Sequence, residues 1–322
     1  MPLRLSAVIL LMSGLGLGPD QTHNHLRAEN TAKTILNVTL QHQVPKPSLA
    51  KPSLAKAKPA ENHEITTATE AWEASQTAVI ICDMWDSHHC YRAVRREEQM
   101  VPRMEKVLTH LRSKGVTMIH APSSCVTAYA NNPARLRVAS VPKSAVPDGI
   151  NEWCRSIPSE DHATYPLDQS DGGEDDTPEE HAAWASSLET KGLNPRSPWK
   201  KQHQGLTIDP AKDYISDQGD EIWNILKHKE LKNVILLGVH TNMCVLGRPF
   251  GLRQLSKNGV NVVLMRDLTD SMYNPKSWPH VSHLEGNALI ISHIERHVCP
   301  TLTSDQFVGG KPFRFTPITA AP

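Results

Sequence analysis

Four short runs constrain this chain more than any other feature: TAVIICD (residues 77–83), VTMIHAP (116–122), NVILLGV (233–239) and NVVLMRD (261–267). Each is apolar without polar alternation, the pattern of strands buried on both faces. Between the first two, residues 95–114 carry Val101, Met104, Val107, Leu108 and Leu111 at helical spacing, closed by Gly115. A second helical stretch follows the third run up to Lys257, with a stop at Gly259, and a third covers residues 285–297. Strands alternating with helices predict an α/β fold, a doubly wound three-layer sandwich around a central parallel sheet of about six strands. Ligands of such sheets gather at the carboxyl ends of the strands. Asp83, His120, the residues around Cys244, and Asp267 all fall there.

Around this pattern the composition shifts. Residues 1–20, MPLRLSAVILLMSGLGLGPD, place one Arg before a short apolar run that breaks into glycines. That is the order of a secretory signal, and the run is too short for a permanent span, so export to the periplasm or the exterior is expected, with no membrane contact after removal. Residues 21–70 hold the tandem KPSLAKPSLAKAKPA and read as a Pro/Lys/Ala-rich disordered linker. The strand–helix pattern spans 71–302, with a long acidic, irregular insertion at 126–204 that includes DQSDGGEDDTPEEH, and 303–322 reads as a tail. The spacing of those acids does not fit a calcium-binding EF-hand loop. Lys plus Arg equal Asp plus Glu at 34 each, so charge gives no reason to expect a nucleic-acid partner. The six cysteines form no C-x-x-C pair, which removes thioredoxin and zinc-ribbon readings. In an exported protein some of them are free to pair.

The chemistry-bearing stretch is GVHTNMCV, residues 238–245. A cysteine at a strand-to-helix turn is exposed to the helix's partial positive charge, which favours the thiolate, and free backbone N–H groups of His240, Thr241 and Cys244 are placed to hold an oxyanion. The plainer reading is a buried structural cysteine. Asp83 ends the first strand at the same sheet edge, either as a proton acceptor for the thiol or as a helix cap. His240 is a second candidate base. Trp85, His120 and Asn242 are expected to line a substrate pocket, Trp85 alternatively belonging to the core. His88, His89, Cys90 and His120 are the types that ligate zinc, yet sequence alone does not make them converge.

Together VIICDMWD and LLGVHTNMCV resemble the isochorismatase-like cysteine hydrolases, the superfamily of nicotinamidases and N-carbamoylsarcosine amidases. Gly238, Thr241, Cys244 and Val245 match its G-x-x-T-x-x-C-V turn, and Asp83 its acid after the first strand. The resemblance covers residues 77–296 without the insertion. It implies attack by Cys244 on an amide-like carbon of a small molecule, release of amine and hydrolysis of a thioester, and commonly a homo-oligomer. It implies a cis peptide at Val239–His240 and a catalytic Lys at the end of the strand preceding the helix that leads into the Cys strand. Lys212 fits that place best, with Lys200 and Lys201 as alternatives.

The chain departs from the family at several points. Trp85 and Asp86 replace its Gln and Asn, and the D-x-H…H metal motif of nicotinamidases is missing, so neither nicotinamide as substrate nor a metal or other cofactor is expected. Pro249, between Gly247 and Gly251, predicts an irregular helix after Cys244. The alternative function is a catalytically altered relative that binds a small ligand or partner without turnover. Vinyl-ether hydrolysis fits less well, because that chemistry needs no cysteine.

Overall fold

The computed structural model describes residues 33–46 and 63–318. The four apolar runs become β3 (Thr77–Cys82), β4 (Thr117–Ala121), β6 (Asn233–Val239) and β7 (Asn261–Asp270), after the hairpin strands β1 (Ile35–Pro45) and β2 (His63–Glu73). The short β5 (Tyr214–Ile215) and β8 (Thr301–Leu302) complete one sheet in the order β2-β1-β8-β7-β6-β3-β4-β5. All neighbours from β8 to β5 run parallel, which gives the expected six parallel strands. At the other edge β1 joins antiparallel to β8, and β2 antiparallel to β1, so the full sheet is mixed and eight-stranded.

Strands β3, β4 and β6 are buried at every position. Their side chains alternate between two layers of core. Ile80, Leu236 and Leu264 pack on one face, and Val79, Leu237 and Met265 on the other, under Met104 and Leu108 of helix α1 (Tyr91–Ser113). The other helices are α2 (Pro133–Ala139), α3 (Pro178–Thr190), α4 (Gly219–His228), α5 (Leu252–Lys257), α6 (His283–His297) and the short α7 (Asp305–Val308). α1 begins four residues before the expected start and continues through Pro102, whose missing N–H is tolerated in a helix packed along one whole face.

Three boundaries change. The expected linker at 21–70 contains β1 and most of β2, because Leu36, Val38 and Leu40 alternate with exposed residues and enter the α1-side core beside Trp72. A period-two run of only three apolar residues lay hidden in a polar tract. The linker's KPSLA repeats and the signal-like segment lie outside the described residues. Second, the stretch read as a tail is docked: Arg103 donates to the Gly309 and Lys311 carbonyls at 2.9 and 3.3 Å, and Thr316 N–H donates to Gln99 at 2.8 Å. Third, the insertion is ordered, holding α2 and α3. Among the described residues no helix is long and apolar enough to cross a membrane.

Burial of the hairpin has a measurable consequence. Leu40 is 2 % exposed, so Leu40→Ala is expected to destabilise the domain by about 2–5 kcal/mol in urea unfolding, as a core truncation does. A change below about 0.5 kcal/mol, the level of a surface substitution, would mean the hairpin is not part of the cooperative unit.

Candidate active site

Asp83 leaves β3 in the left-handed region, at φ 49°, a conformation that Asp tolerates better than most residues. This turns its fully buried carboxyl back over the sheet edge. Its Oδ1 accepts the Ser123 N–H at 2.8 Å, from the loop after β4, and its Oδ2 accepts Arg248 Nε at 3.1 Å. Next to β3, the penultimate residue of β6 is Gly238, whose φ of 112° and 2.0 Å separation between an added Cβ and the Cys82 carbonyl oxygen admit only glycine. The Val239–His240 peptide is cis. Residues Thr241–Val245 then form one wide helical turn, closed by the Met243 and Val245 N–H groups on the His240 carbonyl at 3.0 and 3.1 Å.

Cys244 is the fourth residue of that turn and is 7 % exposed. Its thiol lies within hydrogen-bonding reach of both the Asp83 carboxyl and the Arg248 guanidinium. Burial first, and then the Asp83 charge, push the thiol above the ordinary thiol range, while Arg248 opposes them. Burial also raises the Asp83 carboxyl, with Arg248 acting against it. Burial and the Asp83 charge thus act against the thiolate that a helix N-terminus favours, and Arg248 acts for it.

The cation is the main correction. Lys212 is exposed and packs near Gly115, Val116 and Thr117 at the amino end of β4, the edge opposite Asp83. The position following β5, where a lysine is implied, carries Ser216, whose hydroxyl donates to Glu221. Lys200 and Lys201 are exposed, and their N–H groups donate to Asp86 at 2.8 and 3.2 Å. Arg248 supplies the charge instead, four residues after Cys244, with its N–H on the Cys244 carbonyl at 3.0 Å and its guanidinium 4.9 Å from the Trp153 ring. The sequence held this signal: a basic residue at i+4 shares the nucleophile's face of a helix.

The other expected pocket residues divide. His120 is fully buried, with Nδ1 2.8 Å from Gln202 and Nε2 3.1 Å from Asp213, so both ring nitrogens are taken by structural partners and it lines no pocket. Trp85 is buried, donates to the Ser123 carbonyl at 3.0 Å and stacks on Trp199 of the insertion at 5.0 Å. It thus ties the Asp83 loop to that insertion. The Asn242 side chain is spent on Met272, donating to its carbonyl at 2.7 Å and accepting its N–H at 2.9 Å. Thr241 Oγ1 bonds Thr269 at 2.7 Å and Asn287 at 3.1 Å. Asp267 accepts Ser304 and Phe313 N–H groups at 2.9 Å and so fastens the C-terminal segment. The acid at the end of β7 is Asp270, paired with Arg96 at 2.7 Å and His283 at 2.9 Å.

Candidate metal ligands also separate. Cys90 N–H donates to His88 Nδ1 at 3.2 Å, so the neutral His88 carries its proton on Nε2, 3.4 Å from His240 Nε2. A metal on His88 Nε2 would require the proton on Nδ1, against that N–H, so this pair does not suit a metal. Burial lowers both imidazoles, His240 to about 4, which makes it neutral at physiological pH. Cys90, Glu174 and Asp176 lie close enough together to share an ion. Asp176 there is occupied in capping α1, accepting the Tyr91 and Arg92 N–H groups at 2.7 and 2.8 Å. All six cysteines are unpaired and buried, so the pairing open to an exported chain does not occur.

The profile of the family described as "Isochorismatase domain" matches residues 77–285, well over half of the chain. Solved structures with a similar course include a cysteine hydrolase from Pseudomonas syringae pv. phaseolicola, 16 % identical, covering 73 % of this chain and 92 % of its own, with a TM-score of 0.43. An isochorismatase family protein from Burkholderia thailandensis is 13 % identical over 72 % of this chain and 93 % of its own (TM-score 0.40). The Staphylococcus aureus nicotinamidase is 8 % identical over 68 % and 92 % (TM-score 0.32). No curated protein matches. The match of the family profile, spanning both the Asp83 strand and the Cys244 turn, shows that this chain belongs to the isochorismatase family and carries its hydrolase fold.

Proposed function

We propose that this protein is a cysteine hydrolase that cleaves a C–N bond of a small amide-like molecule through a thioester on Cys244. The observation that carries the reading is the meeting of one thiol, one carboxylate and one guanidinium, Cys244, Asp83 and Arg248, at the carboxyl edge of the sheet. In the proposed cycle the Sγ–H proton passes to Asp83 as sulfur bonds to the carbonyl carbon. The developing oxyanion is received by backbone N–H groups of the wide turn, around Thr241 and Cys244. Asp83 then gives its proton to the nitrogen as the C–N bond breaks. Water next adds to the thioester carbon and yields a proton to Asp83. The C–S bond breaks, and the thiol regains that proton as the acid departs. Arg248 keeps Asp83 ionised between proton transfers. The cycle draws on protein groups alone. The N-terminal segment supports placing this reaction outside the cytoplasm.

Incubation with small primary amides is expected to release ammonia and to leave a transient acyl mass on Cys244, with Cys244→Ala inactive. Turnover that survives Cys244→Ala would overturn the cysteine mechanism. The substitution of Arg for the implied Lys favours a second reading, a ligand-binding relative without turnover. Thermal stabilisation by a ligand with no acyl mass and no ammonia would select it.

A further inference from the structure

A cavity of about 400 Å³ lies between the Cys244 turn and the insertion, within the size range of small-molecule sites. Its walls are preassembled by three bonds. Cys154 N–H donates to the Gly247 carbonyl at 2.9 Å, and Tyr165 and Gln169 both donate to the Asn242 carbonyl at 2.9 Å. Two large apolar side chains remain open at its rim, Trp153 at 41 % and Met243 at 39 % exposed. Exposed aromatic and thioether groups facing one cavity are the usual anchors of a ligand. Trp153 also covers the Arg248 guanidinium, so an occupant of the cavity sits one ring away from the thiol–carboxylate pair.

Charge decides the ligand class. The cavity's one carboxylate, Glu160, is consumed internally: Arg253 donates to it through Nε and Nη2 at 2.8 and 2.7 Å, and His293 Nε2 lies 2.8 Å from it. Arg155, also lining the cavity, is exposed and has no ion-pair partner among the described residues. Two guanidiniums against one carboxylate leave the cavity positive, with the uncompensated charge beside Trp153.

We propose that this cavity holds the non-reacting end of the substrate and that this end bears a carboxylate, received by Arg155 between Trp153 and Met243. The substrate class is then a small monoamide of a dicarboxylic acid, planar enough to lie along an indole. The inference rests on the cysteine-hydrolase reading for the word substrate, but binding is testable without turnover. The probes are 4-carbamoylbenzoate and its uncharged counterpart terephthalamide, titrated against the full chain carrying Cys244→Ser and followed by tryptophan fluorescence and calorimetry. The carboxylate is expected to bind at least about tenfold tighter, a difference of about 1.4 kcal/mol. Arg155→Glu should erase that preference, and Arg155→Lys should keep most of it. Equal binding of the two probes, an unchanged preference in Arg155→Glu, or no binding of either at millimolar concentration each overturns the proposal. The two readings fail separately. Carboxylate-selective binding without an acyl mass in the unmodified protein rejects the hydrolase and keeps the site, whereas turnover that ignores the carboxylate does the reverse.

Discussion

Asp83→Asn is expected to stop turnover and, at the same time, to make Cys244 easier to alkylate. Both effects follow from one arrangement. In the resting protein the Asp83 charge is the largest influence after burial that holds the thiol proton in place, and Arg248 is the main charge favouring its loss. Asparagine keeps an oxygen for the Ser123 N–H, which now donates to Asp83 at 2.8 Å, but removes the negative charge. Arg248 is then left facing the sulfur without a competing carboxylate, and the thiol pKa falls. Iodoacetamide should label Cys244 about tenfold faster or more near pH 8, since the thiolate is the reacting species. Over a pH series the unmodified protein should keep gaining rate beyond the usual thiol pKa of about 8.5, while Asp83→Asn levels off earlier. The amidase reaction moves the other way. Without a proton acceptor and donor, kcat/KM should fall by about 10²- to 10⁴-fold. Slower alkylation in Asp83→Asn would reverse the sign of this argument and make the carboxylate an activator of the resting thiol.

How much of this was legible beforehand differs between sheet and site. The parallel core reads directly because β3, β4 and β6 are mostly apolar without alternation and buried at every position, as expected of strands covered on both faces. Asp83 and Cys244 are placed by the same logic, since each follows such a strand at its carboxyl end. The hairpin was missed because its buried residues are three in eleven positions of β1, among Gln, His and Thr that resemble the neighbouring tether. Arg248 was missed for another reason. The family resemblance points to a cation at the end of the strand before α4, where this chain has Ser216. A local feature, one helical turn past the cysteine, carried the charge instead. His120 shows the converse: the end of a strand is the right neighbourhood for a site residue, but only the partners Gln202 and Asp213 reveal that its side chain is committed elsewhere. Sequence shows which edge a residue occupies, and much less of what its side chain already holds.

Removal of Arg248 should be as damaging as removal of Asp83, with a different pH signature. Asp83 is fully buried, and Arg248 is its only ion-pair partner among the described residues. In Arg248→Ala an ionised carboxylate would stand in the core with little beyond the Ser123 N–H, a situation that destabilises by about 3–5 kcal/mol. The carboxyl avoids part of this by holding its proton, so its folded-state pKa rises further above the unfolded value of about 3.9. The sign of the linkage then follows. The folded state binds a proton that the unfolded state releases, so the variant loses stability as pH rises through that window, and its deficit against the unmodified protein shrinks in acid. Urea unfolding at two pH values measures this. Activity follows the same group: a protonated Asp83 cannot accept the thiol proton, so the acid limb of kcat/KM should move to higher pH, with a loss of about 10²-fold or more near neutrality. Arg248→Lys restores a charge but neither the planar fork nor the stacking on Trp153, and should recover activity only in part. Lys212→Ala, at the opposite edge of the sheet, is the internal comparison and should change neither measurement. If Lys212→Ala removes activity while Arg248→Ala retains it, the guanidinium beside Asp83 is only a structural partner, and the third group of the site has to be sought where the family resemblance first pointed.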